Sequence, residues 1–407
     1  MDMYIRIAWR NIFRNSRRTV ITGIAIGVGL AGMIFTDAFM AGMQRNIIET
    51  VTDNFLGEAQ IHAEGFTDNY DPEKTIPETD RILQQLSKEP EVAQVSKRVM
   101  TQGLINSAVN SRHLMICGID PLTEKAVSEI DEKMVSGSYL NDTQSILIGK
   151  PTAEELEVRT GDRIVVTVSM AESGELAQEM LRVGGIYQFE ADEMDKQIAF
   201  VHFRKLQTLL GLKADESHEI VIHLTDAMIA SHTDYPLWAK YSKNGLTAEP
   251  WPKLVPELDM TLHLFNYVIV LMAIVIFGVV VFGIVNTLFM SLYERFFEFG
   301  VLKAIGTRSF NIWKMILYEA CSLAIISSVI GILLGLLVTL IFMKIGISFD
   351  GVDLGGVTVQ RRLYPVIGLY QYIIYPIVVL LFTAAIGIYP ATFAAKLKPA
   401  QAMRKSM

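Results

Sequence analysis

The sequence predicts a membrane α-helical protein: four transmembrane helices with a mixed α/β extracytoplasmic domain between helices 1 and 2. Three observations carry this. Of 407 residues 51% are hydrophobic, concentrated in four long blocks. A polar segment of about 220 residues separates the first block from the second, long enough for a core of its own. Charge is also divided. Residues 44–262 carry 36 acidic and 20 basic residues, net −16, whereas the remainder carries 7 and 16, net +9. Such an asymmetry suits two compartments.

A helix needs about 20 apolar residues to cross the hydrocarbon core. The stretches near 20–43, 264–290, 312–343 and 366–389 qualify, and the third is long enough to tilt or project. The order is then an amphipathic helix over 1–18, span one over 19–43, the α/β domain over 44–262 and span two over 263–290. A connection over 291–311, span three over 312–343, a loop over 344–365, span four over 366–390 and a tail over 391–407 complete it. Tyr4, Ile5, Ala8, Trp9, Ile12 and Phe13 share one helical face away from Arg6, Arg10 and Arg14, which suits a helix on the inner-leaflet surface. Span one is too long for a cleaved signal peptide. Basic residues crowd the N-terminus, the 291–311 connection (Arg295, Lys303, Arg308) and the tail (Lys396, Lys398, Arg404, Lys405). All three belong on the cytoplasmic side, against the contrary Arg361 and Arg362. Asp37 falls near the outer end of span one, where an interfacial carboxylate is expected. Gly23, Gly27 and Ala31, and separately Gly331 and Gly335, form small-residue stripes that let helices approach closely.

Within 44–262, "EAQIHAEGF", "RHLMICGIDP", "LRVGGIYQF", "KQIAFVHF" and "HEIVIHL" read as strands, and "IPETDRILQQLSKEP" and "FRKLQTLLGL" as helices. "QSILIGKPTAEELEVRTGDRIVVTVS" reads as strand, helix, turn and strand. The stretch bearing Pro236, Pro250, Pro252 and Pro256 reads as irregular.

Catalytic and metal-binding patterns are missing. "IGKPT" lacks the first glycine of a phosphate loop, having Gln144 there, and reads as a strand-to-helix turn. Seven scattered histidines, His218 and His223 among them, complete no metal set. Cys117 and Cys321 lie in unlike surroundings and are not expected to pair. No nucleophile or metalloprotease motif occurs. Neither an enzyme, a bound cofactor, a metal site nor a nucleic-acid partner is expected. A chain with spans, an outer domain and no energy source needs a partner that supplies free energy from the inner side.

The inner connection "YERFFEFGVLKAIGTRSF" (293–310) is where such a partner could act. Phe296, Phe299, Leu302 and Ile305 recur at a spacing of three and form the face of a short helix. Gly306 suits a left-handed stop and Ser309 a cap on the next helix.

This stretch resembles the segment E-R-x-x-E-[I/F]-G-x-L-[K/R]-A-[I/L]-G of the FtsX-like permease family, which includes LolC/LolE and MacB permeases. Glu294, Arg295, Glu298, Gly300, Lys303, Ala304 and Gly306 match. "IAWRNIFRNSRRTVITGIAIGVGLAGM", "ILIGKPTAEELEVRTGDRIVV" and "YPATFAAKLKPAQAMR" resemble its start, its outer-domain element and its terminal signature, so the likeness covers nearly the whole chain. It implies a permease subunit of a mechanotransmission-type ABC transporter in a bacterial inner membrane, its large domain periplasmic and both termini cytoplasmic. The implied partners are two copies of an ABC ATPase, which hold the ATP and Mg, and a second permease copy or paralogue as dimer. A periplasmic carrier or membrane-fusion protein is a further implied partner. ATPase coupling is assigned by the resemblance to Glu294, Arg295, Glu298, Gly300, Lys303 and Gly306. Lipoprotein release in the LolC/LolE manner is the implied function, since no ATPase domain precedes span one as in MacB. MacB-like export of a peptide, toxin or other amphiphile is one alternative. FtsX-like regulation of periplasmic enzymes is another, disfavoured by the size of the outer domain.

Overall fold

A computed structural model describes residues 10, 16–189, 192–348, 352–354, 357–359 and 362–397. The helix expected over 1–18 lies outside these, apart from Arg10 and residues 16–18, as do Lys398, Arg404 and Lys405 of the tail. The chain divides into a helical unit (residues 1–44, 263–348 and 362–407) and an α/β unit (residues 45–262 and 349–361).

Twelve helices are described: α1 (Ser16–Val51), α2 (Thr79–Leu86), α3 (Pro121–Glu124), α4 (Lys150–Glu155), α5 (Asp192–Gln197), α6 (Phe203–Leu210), α7 (Pro236–Tyr241), α8 (Trp251–Leu254), α9 (Pro256–Glu294), α10 (Phe296–Ala304), α11 (Ser309–Ile345) and α12 (Leu369–Ala395). Of these α1, α9, α11 and α12 are long and apolar enough to cross a membrane. The first three run well past what a span needs: 36 residues already rise about 55 Å. Ile26, Leu30, Ile34, Val280, Ile284, Leu288, Ala320, Leu323 and Val379 make one core among them.

The small-residue stripes lie where α1 meets α11. A Cβ added at Gly27 would stand 2.8 Å from Ile330 and 3.2 Å from the Gly331 amide; one at Gly331 would stand 2.8 Å from Leu30. A Cβ at Gly23 would meet Ile330 at an ordinary 3.5 Å and one at Gly335 would meet Ile34 at a tight 3.3 Å, and Ala31 is buried. Asp37 is 6% exposed and accepts a 2.8 Å hydrogen bond from the Tyr370 hydroxyl in the first turn of α12.

The α/β unit is built from β1 (Ala59–Ala63), β2 (Val92–Asn106), β3 (Ser111–Ile119), β4 (Met134–Gly137), β5 (Ser145–Gly149), β6 (Arg163–Ser169), β7 (Leu176–Tyr187), β8 (Ile198–His202), β9 (Glu219–Leu224) and β10 (Leu246–Pro250). Six strands pair in a closed circuit, β2–β3–β8–β5–β7–β6 and back to β2. β9, β1 and β10 extend from β2. Alternating Val, Ile and Leu positions on the circuit, among them Ile105, Leu114, Ile116, Ile146, Ile148, Ile164, Val166, Val168, Leu181 and Val183, share one core. An aromatic core holds Phe55, Phe66, Tyr187, Phe189 and Phe200. Gly103 is required where the circuit closes: a Cβ there would lie 2.4 Å from Ile116 and 2.9 Å from the Thr167 carbonyl oxygen.

The proline-bearing stretch read as irregular is instead ordered into α7, β10 and α8, and α9 begins at Pro256. Its prolines sit where helices tolerate them, in the first turn. Pro250 lies at the end of β10, which among the described residues pairs only with β1 and so forms an edge. β2 also went unread, because its burial does not alternate: its first half serves β9 and its second half β3 and β6.

Candidate coupling segment

The connection between α9 and α11 is a separate helix rather than an extension of α9. Arg295 (φ −105°, ψ 12°) breaks the run after Glu294, and α10 follows at once. α10 ends at Ala304 in a Schellman-type stop. Gly306 takes φ +97°, the Gly306 N–H donates to the Lys303 carbonyl (3.1 Å) and the Thr307 N–H to the Leu302 carbonyl (3.0 Å). Arg308, extended at φ −64°, ψ 138°, occupies the N-cap of α11, so Ser309 is the first helical residue and not the cap.

Phe299 and Gly300 are buried, with Phe296 and Leu302 packed beside them against Leu292, Ile312, Met315, Ile316, Ala391 and Ala394. Ile305 does not join this face. It lies past the last helical turn and is 74% exposed. The outer face is itself apolar. Phe297 is 48% and Val301 38% exposed, and with Ile305 they follow at a spacing of four.

The charged residues of the motif divide by direction. The Arg295 side chain, 11% exposed, donates to Glu319 of α11 (2.7 Å) and to Glu298 (3.2 Å) and covers the Phe299 ring at 5.0 Å. Ser291 donates to the other oxygen of Glu319 (3.1 Å). Lys303 Nζ donates to the Ala395 and Leu397 carbonyls at the end of α12 (2.5 and 2.8 Å), where unpaired helix carbonyls favour a cation. α10 is therefore bolted to α11 through Arg295 and to α12 through Lys303. Glu294 is exposed. Sequence reasoning missed Glu319; its signal was a lone carboxylate within a largely apolar run.

Other candidates resolve into packing. "IGKPT" turns from β5 into α4, and a Cβ on Gly149 would lie 1.9 Å from the Asp195 carbonyl oxygen, so that glycine serves close packing. His218 is fully buried, stacked on Phe66. Its Nδ1 accepts from the Met100 N–H, so Nε2 carries the proton toward the Pro72 carbonyl. Burial holds its pKa below the usual value against those bonds. His223 is raised by its hydrogen bond to Glu58. Among the described residues no group of three or more His, Cys, Asp or Glu is placed to hold a metal. Cys117 and Cys321 are both free.

Family models match twice: the MacB-like periplasmic core domain over residues 19–231 and the FtsX-like permease C-terminal region over 270–399. The lipoprotein-releasing system transmembrane protein LolE of Haemophilus influenzae is 22% identical over 396 residues, 94% of this chain and 93% of that protein. LolC of Xylella fastidiosa is 22% identical over 419 residues, 98% and 97% of the two. The macrolide export ATP-binding/permease protein MacB of Acinetobacter baylyi is 22% identical over 78% of this chain and 49% of its own length. Among solved structures, the periplasmic region of MacB from Actinobacillus actinomycetemcomitans aligns with TM-score 0.34 and 13% identity, over 49% of this chain and 92% of that one. The chain belongs to the MacB-like periplasmic core and FtsX-like permease families, and is an ABC-transporter permease of the LolC/LolE/MacB type.

Proposed function

We propose that this permease has no ATPase site of its own and is driven by two copies of a separate ABC ATPase, which hold the ATP and Mg and dock on α10. The working unit is a dimer of permeases in the bacterial inner membrane, with both termini cytoplasmic and the α/β unit periplasmic. The observation that carries this reading is the mounting of α10. One face is fixed to two membrane helices by Arg295 and Lys303, while Phe297, Val301 and Ile305 face outward. A push on that face cannot be absorbed by α10 sliding on its supports. It passes to α11 through Glu319 and to the end of α12 through the Lys303 contacts. An apolar ridge with Glu294 beside it suits a protein partner, since the buried centre of an interface is poor in charge.

The cargo we assign is a lipoprotein released from the membrane, supported by likeness to LolE and LolC over almost the whole of both chains. Export of a peptide or other amphiphile has a specific support in the MacB likeness and is the second reading.

The test is Phe297→Asp with Val301→Asp. Both side chains face outward, so the permease should fold with unchanged thermal stability. It should lose co-purification with its ABC ATPase and lose stimulated ATP turnover. Normal co-purification and turnover in the double variant would remove α10 from the docking role. A labelled triacylated lipoprotein, released from proteoliposomes only when ATP is present, separates the first cargo reading from the second.

A further inference from the structure

α1 runs without interruption into a π-helical turn, Thr52–Leu56, at the start of the α/β unit. A helix end normally leaves its last carbonyls unpaired. Here four of the last five carbonyls are taken. The Thr52 carbonyl accepts from the Gly57 N–H (2.8 Å), that of Asp53 from the Glu129 N–H (2.8 Å) and that of Leu56 from the Gln60 side chain (2.7 Å). The Phe55 carbonyl accepts from Arg98 Nη2 at 2.6 Å.

Arg98 is the unusual member. It is fully buried on β2, and its guanidinium stacks over the Phe55 ring at 3.9 Å. Nε and Nη2 engage Glu124 of α3 (3.0 and 2.5 Å) and Nη1 engages Glu219 of β9 (2.8 Å). Ser96 completes Glu124, and His62 of β1 completes Glu219 at 3.1 Å. Burial opposes the charge of Glu219, but the His62 bond and the Arg98 charge outweigh it and hold its pKa low. Burial likewise opposes the Arg98 charge, and Glu124 and Glu219 reverse that. Arg98 and Glu219 therefore stay ionised. A buried ion cluster is a poor stabiliser, because apolar groups of similar volume often do as well. What apolar groups cannot supply is a cation held against the carbonyl end of a long helix.

We propose that Arg98 is the positioning residue that ties the last turns of α1, from Arg45 on, and the π-helical turn after them to β2, β9 and α3, so that a displacement of that helix end reorients the three together. This rests on the permease reading only for its functional arm. Arg98→Ala alone would strand two buried carboxylates and endanger folding, so the test is the neutral triple Arg98→Met/Glu124→Gln/Glu219→Gln, with Arg98→Lys beside it. The full chain is used, in nanodiscs, with hydrogen exchange as readout. The triple should keep its melting temperature and the protection of β2 and β9. The Gly57 and Glu129 amides should exchange at least tenfold faster. With the ATPase present, ATP should still be hydrolysed, but the ATP-dependent change in exchange across the α/β unit should fall at least tenfold. Arg98→Lys, which keeps a cation but not the three-way fork, should fall between. Unchanged exchange at Gly57 and Glu129, or loosened exchange with a full ATP response, would overturn the proposal. If the unmodified chain shows no ATP response, the permease reading fails, and the two amides alone decide the tether.

Discussion

The mounting of α10 can be weighed by a double-mutant cycle on Arg295 and Glu319. Their side chains are 11% and 13% exposed and meet at 2.7 Å, so water screens the pair poorly. A hydrogen bond between charged groups contributes about 1.5–3 kcal/mol, and truncating one partner adds the cost of leaving the other buried and unpaired. Glu319→Ala removes the acceptors of both Arg295 and Ser291, and should cost about 3 kcal/mol. Arg295→Ala also strips the cover from Phe299 and releases Glu298, for a similar cost of about 3 kcal/mol. If the two acted independently the double variant would lose about 6 kcal/mol; a coupled pair should lose about 4, leaving an interaction of about 2 kcal/mol. Equilibrium unfolding in mixed micelles, followed by fluorescence of Trp313 in the same cluster, measures each corner of the cycle. An interaction below about 0.5 kcal/mol would show that Arg295 is satisfied without Glu319, by Glu298 or solvent, and α10 would then not be fastened to α11 through this pair.

The α1–α11 contact should be intolerant of bulk. Gly331→Val, driving carbon into Leu30, should cost about 1–3 kcal/mol in thermal unfolding. Gly278→Ala, with open space around its Cβ, should be neutral or stabilising. Gly149→Ala, whose Cβ would meet the Asp195 carbonyl, should unfold the α/β unit locally, read as protease sensitivity near α4 and α5; a stable variant would mean the turn can shift. His218 gives a pH dependence. Its folded pKa lies below the usual 6.5, so the unfolded chain binds the extra proton, and stability present above pH 6.5 is lost as pH falls toward the folded value. His218→Gln should flatten the melting temperature between pH 6.5 and 5, and an unchanged slope would assign the acid sensitivity elsewhere.

Much of this architecture follows from patterns with a physical cause. Apolar runs of span length gave the four long helices, and Val-rich alternation gave strands such as β6 and β9. Where legibility failed, one residue served two masters. β2 has no clean alternation because it pairs with three strands. The stretch from Pro236 to Pro256 looked broken because prolines that start helices resemble prolines that end them. Long-range pairs leave no local trace. Nothing near Arg98 in sequence announces Glu219, 121 residues away.

The coupling motif shows the same division within thirteen residues. A pattern of charges between two apolar spans suggests a charged docking surface, since exposed charge is the ordinary fate of Arg, Lys and Glu. Yet Arg295 and Lys303 turn inward and are consumed by Glu319 and the end of α12. Apolar side chains stay outside. The two facts require each other. A nine-residue helix cannot hold itself in place by propensity, and with Phe297 and Val301 turned outward it buries only part of its apolar surface. Directed bonds to its neighbours must therefore supply the rest of its anchoring. The charges in this motif encode how the helix is mounted, and the docking surface we propose is written in its phenylalanine and valine.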